Sequence, residues 1–401
     1  MALLLFIAAL VDMPQHLVDV GGVSSMGMLT VAQLALAVGG LIAVGAYPKP
    51  LVHRMIPYGL FMGWVGLSVF WAPPQTAGVQ NGVVYALFGV ALLLSGTLAA
   101  SEPRRMYEVI RRGVGWIDRI TLTTIVVGLV TLGLPMADET RWFVGARSVA
   151  ILALLPLSWH LAHWSQVPRA GVKAWLWLSA ILLSLSRTAL AAGLLCVLLA
   201  TLARLRFSPR AFAVRVPVVL VTLAVVGALF TYVTPLRNRL TTGDVGFEVG
   251  GVDINVSGRA RMWAVVTESA TTSPVIGQGL GSSQRAVVDE LDDIDHPHND
   301  YLRLWHDLGA IGLLLFVGSL TMWLGMLCAR WTSAERRADP LAPMKLAATL
   351  SLLGLLIVAI TDNAIIYPFV MGPLGVMVGA GLGAPVTGAA VPGASTFLRP
   401  T

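Results

Sequence analysis

Long apolar runs broken by short polar segments set the first expectation for this chain. Runs at 26–46, 55–72, 80–100, 116–134, 146–164, 213–233, 309–329 and 344–361 each reach the roughly 17–25 residues a helix needs to cross a bilayer. Residues 364–384 are Gly-rich but long enough. The run 174–205 is too long for one span and is interrupted by Ser186-Arg187-Thr188, so two shorter helices should meet there. Residues 1–18 make a weaker first span, because Asp12 and Pro14 fall inside them. They lack the basic start and small-residue cleavage site of a signal peptide. The pattern predicts an all-α polytopic membrane protein of about twelve transmembrane helices, since only helices or closed barrels satisfy backbone polar groups in lipid. It divides the chain into an N-terminal bundle (1–233), a long outer loop carrying short helices (234–308), and C-terminal helices with a cytoplasmic tail (309–401).

Composition agrees. Hydrophobic residues make up 56% of the 401 and charged residues only 12%, against about 25% charged in soluble domains; mean hydropathy is +0.78. Charge placement orients the spans. With the N-terminus in the cytoplasm, the inside loops receive Lys49 and Arg54; Arg104, Arg105, Arg111, Arg112 and Arg119; Arg169 and Lys173; Arg204, Arg206, Arg210 and Arg215; and Arg330, Arg336, Arg337 and Lys345. These are most of the 27 basic residues, as the positive-inside rule requires. The net charge of +6 is therefore mainly an orientation signal. A nucleic-acid surface would need basic and aromatic residues gathered on a soluble domain, and the pattern provides none. Cys196 and Cys328 both lie in apolar runs, which suggests neither a disulfide nor a thiol metal site. No convincing internal repeat supports an inverted-repeat transporter.

The remaining polar groups gather on the outer side, where ionisable residues at a membrane boundary point to function. Arg187 falls at the outer end of two spans; its bland alternative is a snorkelling arginine. Ser257-Gly258-Arg259-Ala-Arg261-Met-Trp263 predicts a short helix capped by Ser257. Met262, Trp263 and Val266 form an apolar stripe on it, suited to lying on the membrane. That helix should end near Pro274, before a tight turn at Gly277-Gln-Gly279-Leu-Gly281 that is able to approach phosphate but is no dinucleotide fingerprint. His296-Pro-His298-Asn299-Asp300-Tyr301-Leu302 then enters an apolar helix starting at Asn299 or Asp300. Helical spacing places Leu302, Trp305, Gly309, Gly312 and Phe316 on one face, with His298 at its top and small residues letting a neighbouring helix approach. A neutral imidazole there is suited to taking a proton from a hydroxyl; His296 and His306 are its competitors. Thr361-Asp362-Asn363 reaches the same outer side, where Asp362 either orients the imidazole, pairs with an arginine, or merely closes a hairpin.

Taken in order, Leu185-Ser186-Arg187, Ser257-Gly258-Arg259 with Trp263, Pro274 with Gly277-Gln-Gly279, and His298-Asn299-Asp300-Tyr301-Leu302 with Gly309 and Gly312 resemble the O-antigen ligase and O-antigen polymerase superfamily. These are membrane glycosyltransferases acting on polyprenyl-diphosphate-linked glycans. The resemblance runs from Arg187 to Gly312; the N-terminal half shares only hydropathy. It implies that His298 is the catalytic base and that Arg187 and Arg259 hold the donor diphosphate, with Arg261 a less secure partner. Asp362 joins the catalytic set as the group that orients the base.

The expected activity is transfer of a glycan from polyprenyl diphosphate to an acceptor hydroxyl, at the outer face of a bacterial cytoplasmic membrane. The acceptor is a glycan or lipid A-core, with transfer to protein also open, and no metal, nucleotide-sugar, other cofactor or nucleic acid takes part. Guanidinium groups meet the charge developing on the leaving diphosphate. The Asp-x-Asp within Asp289-Glu290-Leu-Asp292-Asp293-Ile-Asp295 reads as a solvated acidic loop rather than a cation site. Repeat-unit polymerisation in place of ligation is the near alternative. A flippase for lipid-linked glycan is the distant one, and it leaves His298 and the long loop without a task.

Overall fold

The computed structural model describes residues 19–20, 23–73, 76–132, 146–205, scattered positions within 213–231, 245–249, 252–255, 259–290 and 296–387. The expected spans at 1–18 and most of 213–233 lie outside the described residues, as do Ser257, Gly258 and 291–295. Apart from two small antiparallel hairpins, Asp19–Val20 with Val23–Ser24 and Val245–Val249 with Val252–Asn255, the described elements are helices. They are α1 (Ser25–Val44), α2 (Lys49–Ser68), α3 (Thr76–Ser101), α4 (Pro103–Leu132), α5 (Ala146–His163), α6 (Ala170–Leu183), α7 (Arg187–Leu205), α8 (Arg259–Ala270), α9 (Ser282–Glu290), α10 (Asp300–Arg336), α11 (Ala342–Val358) and α12 (Pro368–Gly383). The break expected at Ser186-Arg187-Thr188 is where α6 gives way to α7, with Leu185 at φ +58°.

Among the described residues four helices are long and apolar enough to cross a membrane: Gly27–Val44, Gly78–Ser101, Pro103–Thr131 and Asp300–Arg336. Parts of α5, α6, α7, α11 and α12 are apolar but shorter. The described residues thus form a helical membrane protein with four full-length candidate spans, and α6, α11 and α12 are shorter where prolines, glycines and polar turns bound them.

Two features set the frame. Helix α12 lies backbone-to-backbone on α3, because Gly375, Gly379 and Gly383 bring it against the carbonyls of Phe88, Leu92 and Gly96, where any side chain would collide. An aromatic core then joins α2, α3 and α10. Phe61 and Phe316 lie 5.0 Å apart and Tyr58 and Trp323 5.4 Å apart between centroids, and the Tyr58 hydroxyl donates to Tyr85 O at 2.8 Å. Several basic residues of the orientation signal also close the end of α12: Arg54 Nη1 donates to Leu382 O (3.0 Å), Arg330 Nε to Gly381 O (3.3 Å) and Lys345 Nζ to Pro385 O (3.3 Å). Cations at a helix C-terminus satisfy its orphan carbonyls and its dipole.

Helix α10 starts at Asp300, capped by the Asn299 side chain, which accepts from Leu302 N–H at 3.0 Å. It does not run straight. Gly309, at φ 66° and ψ −173°, breaks the helical path, and the 274–281 loop fills the break. Gln278 N–H donates to His306 O and Gly279 N–H to Asp307 O, both at 2.9 Å, while Ala310 N–H and Ile311 N–H find Pro274 O (2.9 Å) and Val275 O (3.2 Å). Trp64 Nε1 takes Leu308 O at 2.8 Å. Every one of these groups is satisfied from outside the helix, which is why the kink survives in a buried place. A Cβ at Gly309 would strike Val275 O, and one at Gly277 would strike Asp307 O, so both glycines belong to this joint.

The sequence-based face of α10 is corrected accordingly. Arg303, Leu304, His306, Asp307 and Leu308 are buried, whereas Leu302 and Trp305 are half-buried, because the kink rotates the segment before Gly309 away from an ideal stripe. Gly309 admits a loop rather than a helix; it is Gly312 that faces a helix, through Trp64 of α2. The glycine turn is likewise occupied by α10 instead of being open to phosphate.

Candidate functional site

Three polar segments converge at the start of α10. The first is the loop ending at His298, whose φ of +48° puts a non-glycine residue in the left-handed region, a strain that tends to accompany functional sites. The second is the turn Thr361–Asn363 after α11, and the third is the N-terminus of α8. Asp300 N–H donates to Ala359 O (2.9 Å) and Asp300 Oδ2 accepts from Ile365 N–H (3.0 Å), which fixes the helix start against the turn. Trp263 of α8 donates its indole N–H to Pro297 O at 2.9 Å and so holds the histidine loop from the other side.

His298 Nδ1 sits 3.0 Å from Asn363 Nδ2 and 3.7 Å from Asp362 Oδ1, the latter beyond hydrogen-bond reach but close for a charge. The imidazole keeps 26% of its side-chain surface, while Asp362 keeps 6%. A ring edge is thus left for another molecule, and the carboxylate is part of the wall. Burial pushes the Asp362 carboxyl up. The side-chain contact with His298, the Asn363 N–H and the electrostatic influence of His298 and Arg259 outweigh it, holding the group below the usual carboxylate range. Arg259 therefore acts on the same site as Asp362.

Arg187 opens α7 half-buried, and the next residue, Thr188, meets Thr361 hydroxyl to hydroxyl, which brings the α6–α7 break to the same turn. Arg261 is exposed on α8. Two positions along a helix are about 200° apart, so Arg261 and Arg259 project to different sides. The structure thus gathers His298, Asp362, Arg259 and the Arg187 end of α7, and sets Arg261 apart.

The stripe Met262 and Val266, expected to lie on the membrane, instead packs with Val287 of α9, flanked by Trp263 and Leu302. Its apolar surface is covered by protein.

The competing histidines are placed differently. His306 is buried with its two nitrogens on the hydroxyls of Ser282 (3.0 Å) and Ser269 (2.9 Å). Beside it Asp307 caps α9 from outside, accepting from Gly281 N–H (3.0 Å), Ser282 Oγ (3.2 Å) and Ser283 N–H (2.7 Å). His296 is kept neutral: burial first, then the nearby charges of Arg303 and His298, push its pKa down to about 3 against the opposing pull of Asp307.

Two site residues had no role assigned from the sequence. Arg303, buried on α10, lies 3.1 Å from Asp300 and donates from Nη2 to Asn363 Oδ1; Asn363 is itself fully buried behind His298. The signal available for Arg303 was an arginine one turn after Asp300 in a nearly uncharged chain.

Residues 173–317 match the family model described as O-Antigen ligase, a stretch that includes Arg187, Arg259 and His298 but ends before Asp362 and Asn363. No curated protein matches the chain. Residues 173–317 are thus similar to the O-antigen ligase family, a match that supports the O-antigen ligase/polymerase superfamily.

Proposed function

We propose that the protein is a glycosyltransferase that moves a glycan from polyprenyl diphosphate to an acceptor hydroxyl, at the outer face of a bacterial cytoplasmic membrane. The acceptor oxygen attacks the anomeric carbon with inversion as its proton passes to His298. The carbon–oxygen bond to the donor breaks, and its electron pair leaves on the diphosphate. Asp362 stabilises the imidazolium that forms, as a buried carboxylate 3.7 Å away can. Arg187 and Arg259 receive the diphosphate, with Arg261 at the edge, so guanidinium groups serve where other transferases place a cation. Ligation to a lipid A-core and polymerisation of repeat units share this chemistry and differ in the acceptor. About twelve spans, cytoplasmic termini and the outer segment 234–308 complete the reading.

The observation that carries it is the meeting of His298, Asp362 and the charge of Arg259 at one place, with His298 and Arg259 inside the O-antigen ligase match. The test is a reaction in detergent with polyprenyl-diphosphate glycan, acceptor and chelator, without ATP or a gradient. A new glycosidic bond and released polyprenyl diphosphate are expected. Gradient-dependent movement of lipid-linked glycan across proteoliposomes, with no bond formed to any acceptor, would overturn the enzyme in favour of a transporter.

A further inference from the structure

A guanidinium has only donors. Arg303 Nη2 donates to Asn363 Oδ1, which fixes which way the Asn363 amide faces: its oxygen meets Arg303 and its NH2 meets His298. That NH2 lies 3.0 Å from His298 Nδ1, and an amide NH2 also only donates. The Nδ1 lone pair is therefore the acceptor, and the proton of the neutral ring stands on Nε2. An imidazole in this tautomer presents an N–H, not a lone pair, on the side away from Asn363. It is not yet a base.

We propose that Arg303 and Asn363 are positioning residues that hold His298 in its Nε2–H tautomer at rest, and that Asp362 releases it by taking Nδ1 as a donor. This rests on the transferase reading above. In the exchange one proton leaves Nε2 for water and another reaches Nδ1 from water, with no net change in charge. Asp362 Oδ1, at 3.7 Å, needs less than an ångström of approach to accept it. Asn363 and Asp362 are consecutive and compete for one nitrogen, so a small shift of the turn, or of the strained His298 backbone, moves the ring between them. The consequence is a masked base: water reaching the half-exposed ring before the acceptor meets an N–H.

The charged and titratable groups facing this ring are Asp362 from the turn, Arg303 and Asp300 from α10, His296 from its own loop and Arg259 from α8. Asn363→Asp changes one atom type among them. Asp accepts only, so it retains Arg303 and now accepts a hydrogen bond from Nδ1–H.

The direct measurement is nitrogen NMR of the full-length protein labelled in histidine, with His298 assigned by loss of its signals in His298→Gln. The wild type should show Nε2 protonated, and Asn363→Asp should show Nδ1 protonated. The added negative charge should also move the acid limb of the transfer rate up by about one pH unit. Arg303→Gln, whose amide can face either way, should give a mixture of tautomers. Nδ1 protonated in the resting wild type overturns the proposal. An unchanged tautomer in folded Asn363→Asp overturns it too. A wild type with the expected tautomer but no transferase activity keeps the relay and removes the reaction instead.

Discussion

Two histidines two turns apart on one segment, His298 and His306, have opposite surroundings. His306 has each nitrogen on a serine, its neighbour Asp307 caps α9, and the kink beside it leaves none of the cited backbone groups without a partner. His298 has a strained backbone, a half-exposed ring and one nitrogen claimed by two neighbours at 3.0 and 3.7 Å. A saturated polar network fixes geometry, because any movement costs a buried hydrogen bond. A contested one can change its protonation with little motion. The difference explains why the same residue type builds the joint in one place and handles the proton in the other.

The largest effect expected is at His298. His298→Ala should lower glycan transfer about 10²–10⁴-fold, the usual contribution of a positioned proton acceptor, while melting temperature and donor binding stay near wild type. Near-normal product, or an equal loss in His296→Ala, would remove His298 from that role and erase the contrast with His306.

The joint should fail differently. Gly309→Ala places a methyl against Val275 O in a backbone region that alanine avoids. Collision and strain together should cost roughly 3 kcal/mol or more, read as a large drop in unfolding temperature in detergent, with transfer lost through the fold. A variant that melts normally but transfers nothing would make the kink part of the chemistry.

The arginines come next. Arg187→Lys and Arg259→Lys keep the charge and lose the fork that matches phosphate oxygens, so each should weaken donor binding about ten- to a hundredfold. Arg261→Lys, on the exposed side of α8, should do much less. Three equal losses would place Arg261 in the clamp and contradict the separation of the two arginines on the helix.

How far the sequence could be read follows from the same contrast. Apolar run length marked out most of the helices and the α6–α7 break, because those depend on local composition. Among the described residues it runs past the ends of several shorter helices, since run length ignores where the backbone turns. The motif order pointed to His298 and Arg259, and a polar break between apolar runs to Asp362, because charge in an apolar chain is conspicuous. What stayed hidden was Arg303 on Asn363, 60 residues away, and the glycine joint. Gly277-Gln-Gly279 read as a turn able to approach phosphate, yet Gly277 is required by α10 and Gly279 by Ala72 passing close by. Spacing along a chain does not report what lies across it.

His296 sits between the two regions, repelled by Arg303 and His298 from the site and attracted by Asp307 from the joint. Its neutrality has a measurable consequence. Unfolded, the residue takes up a proton below its ordinary pKa of roughly 6.5; folded, it stays neutral down to about 3. Within that window the unfolded state binds the extra proton, so folding stability falls as pH falls. The loss should reach roughly 2 kcal/mol by pH 5. His296→Gln cannot take up that proton. Its unfolding temperature should therefore fall less than that of the wild type between pH 7 and pH 5, whatever the offset between the two at neutral pH. Parallel curves would mean that His296 is charged in the folded protein. The positive charge beside His298 would then be greater than burial allows, and the site would be as saturated in charge as the joint is in hydrogen bonds.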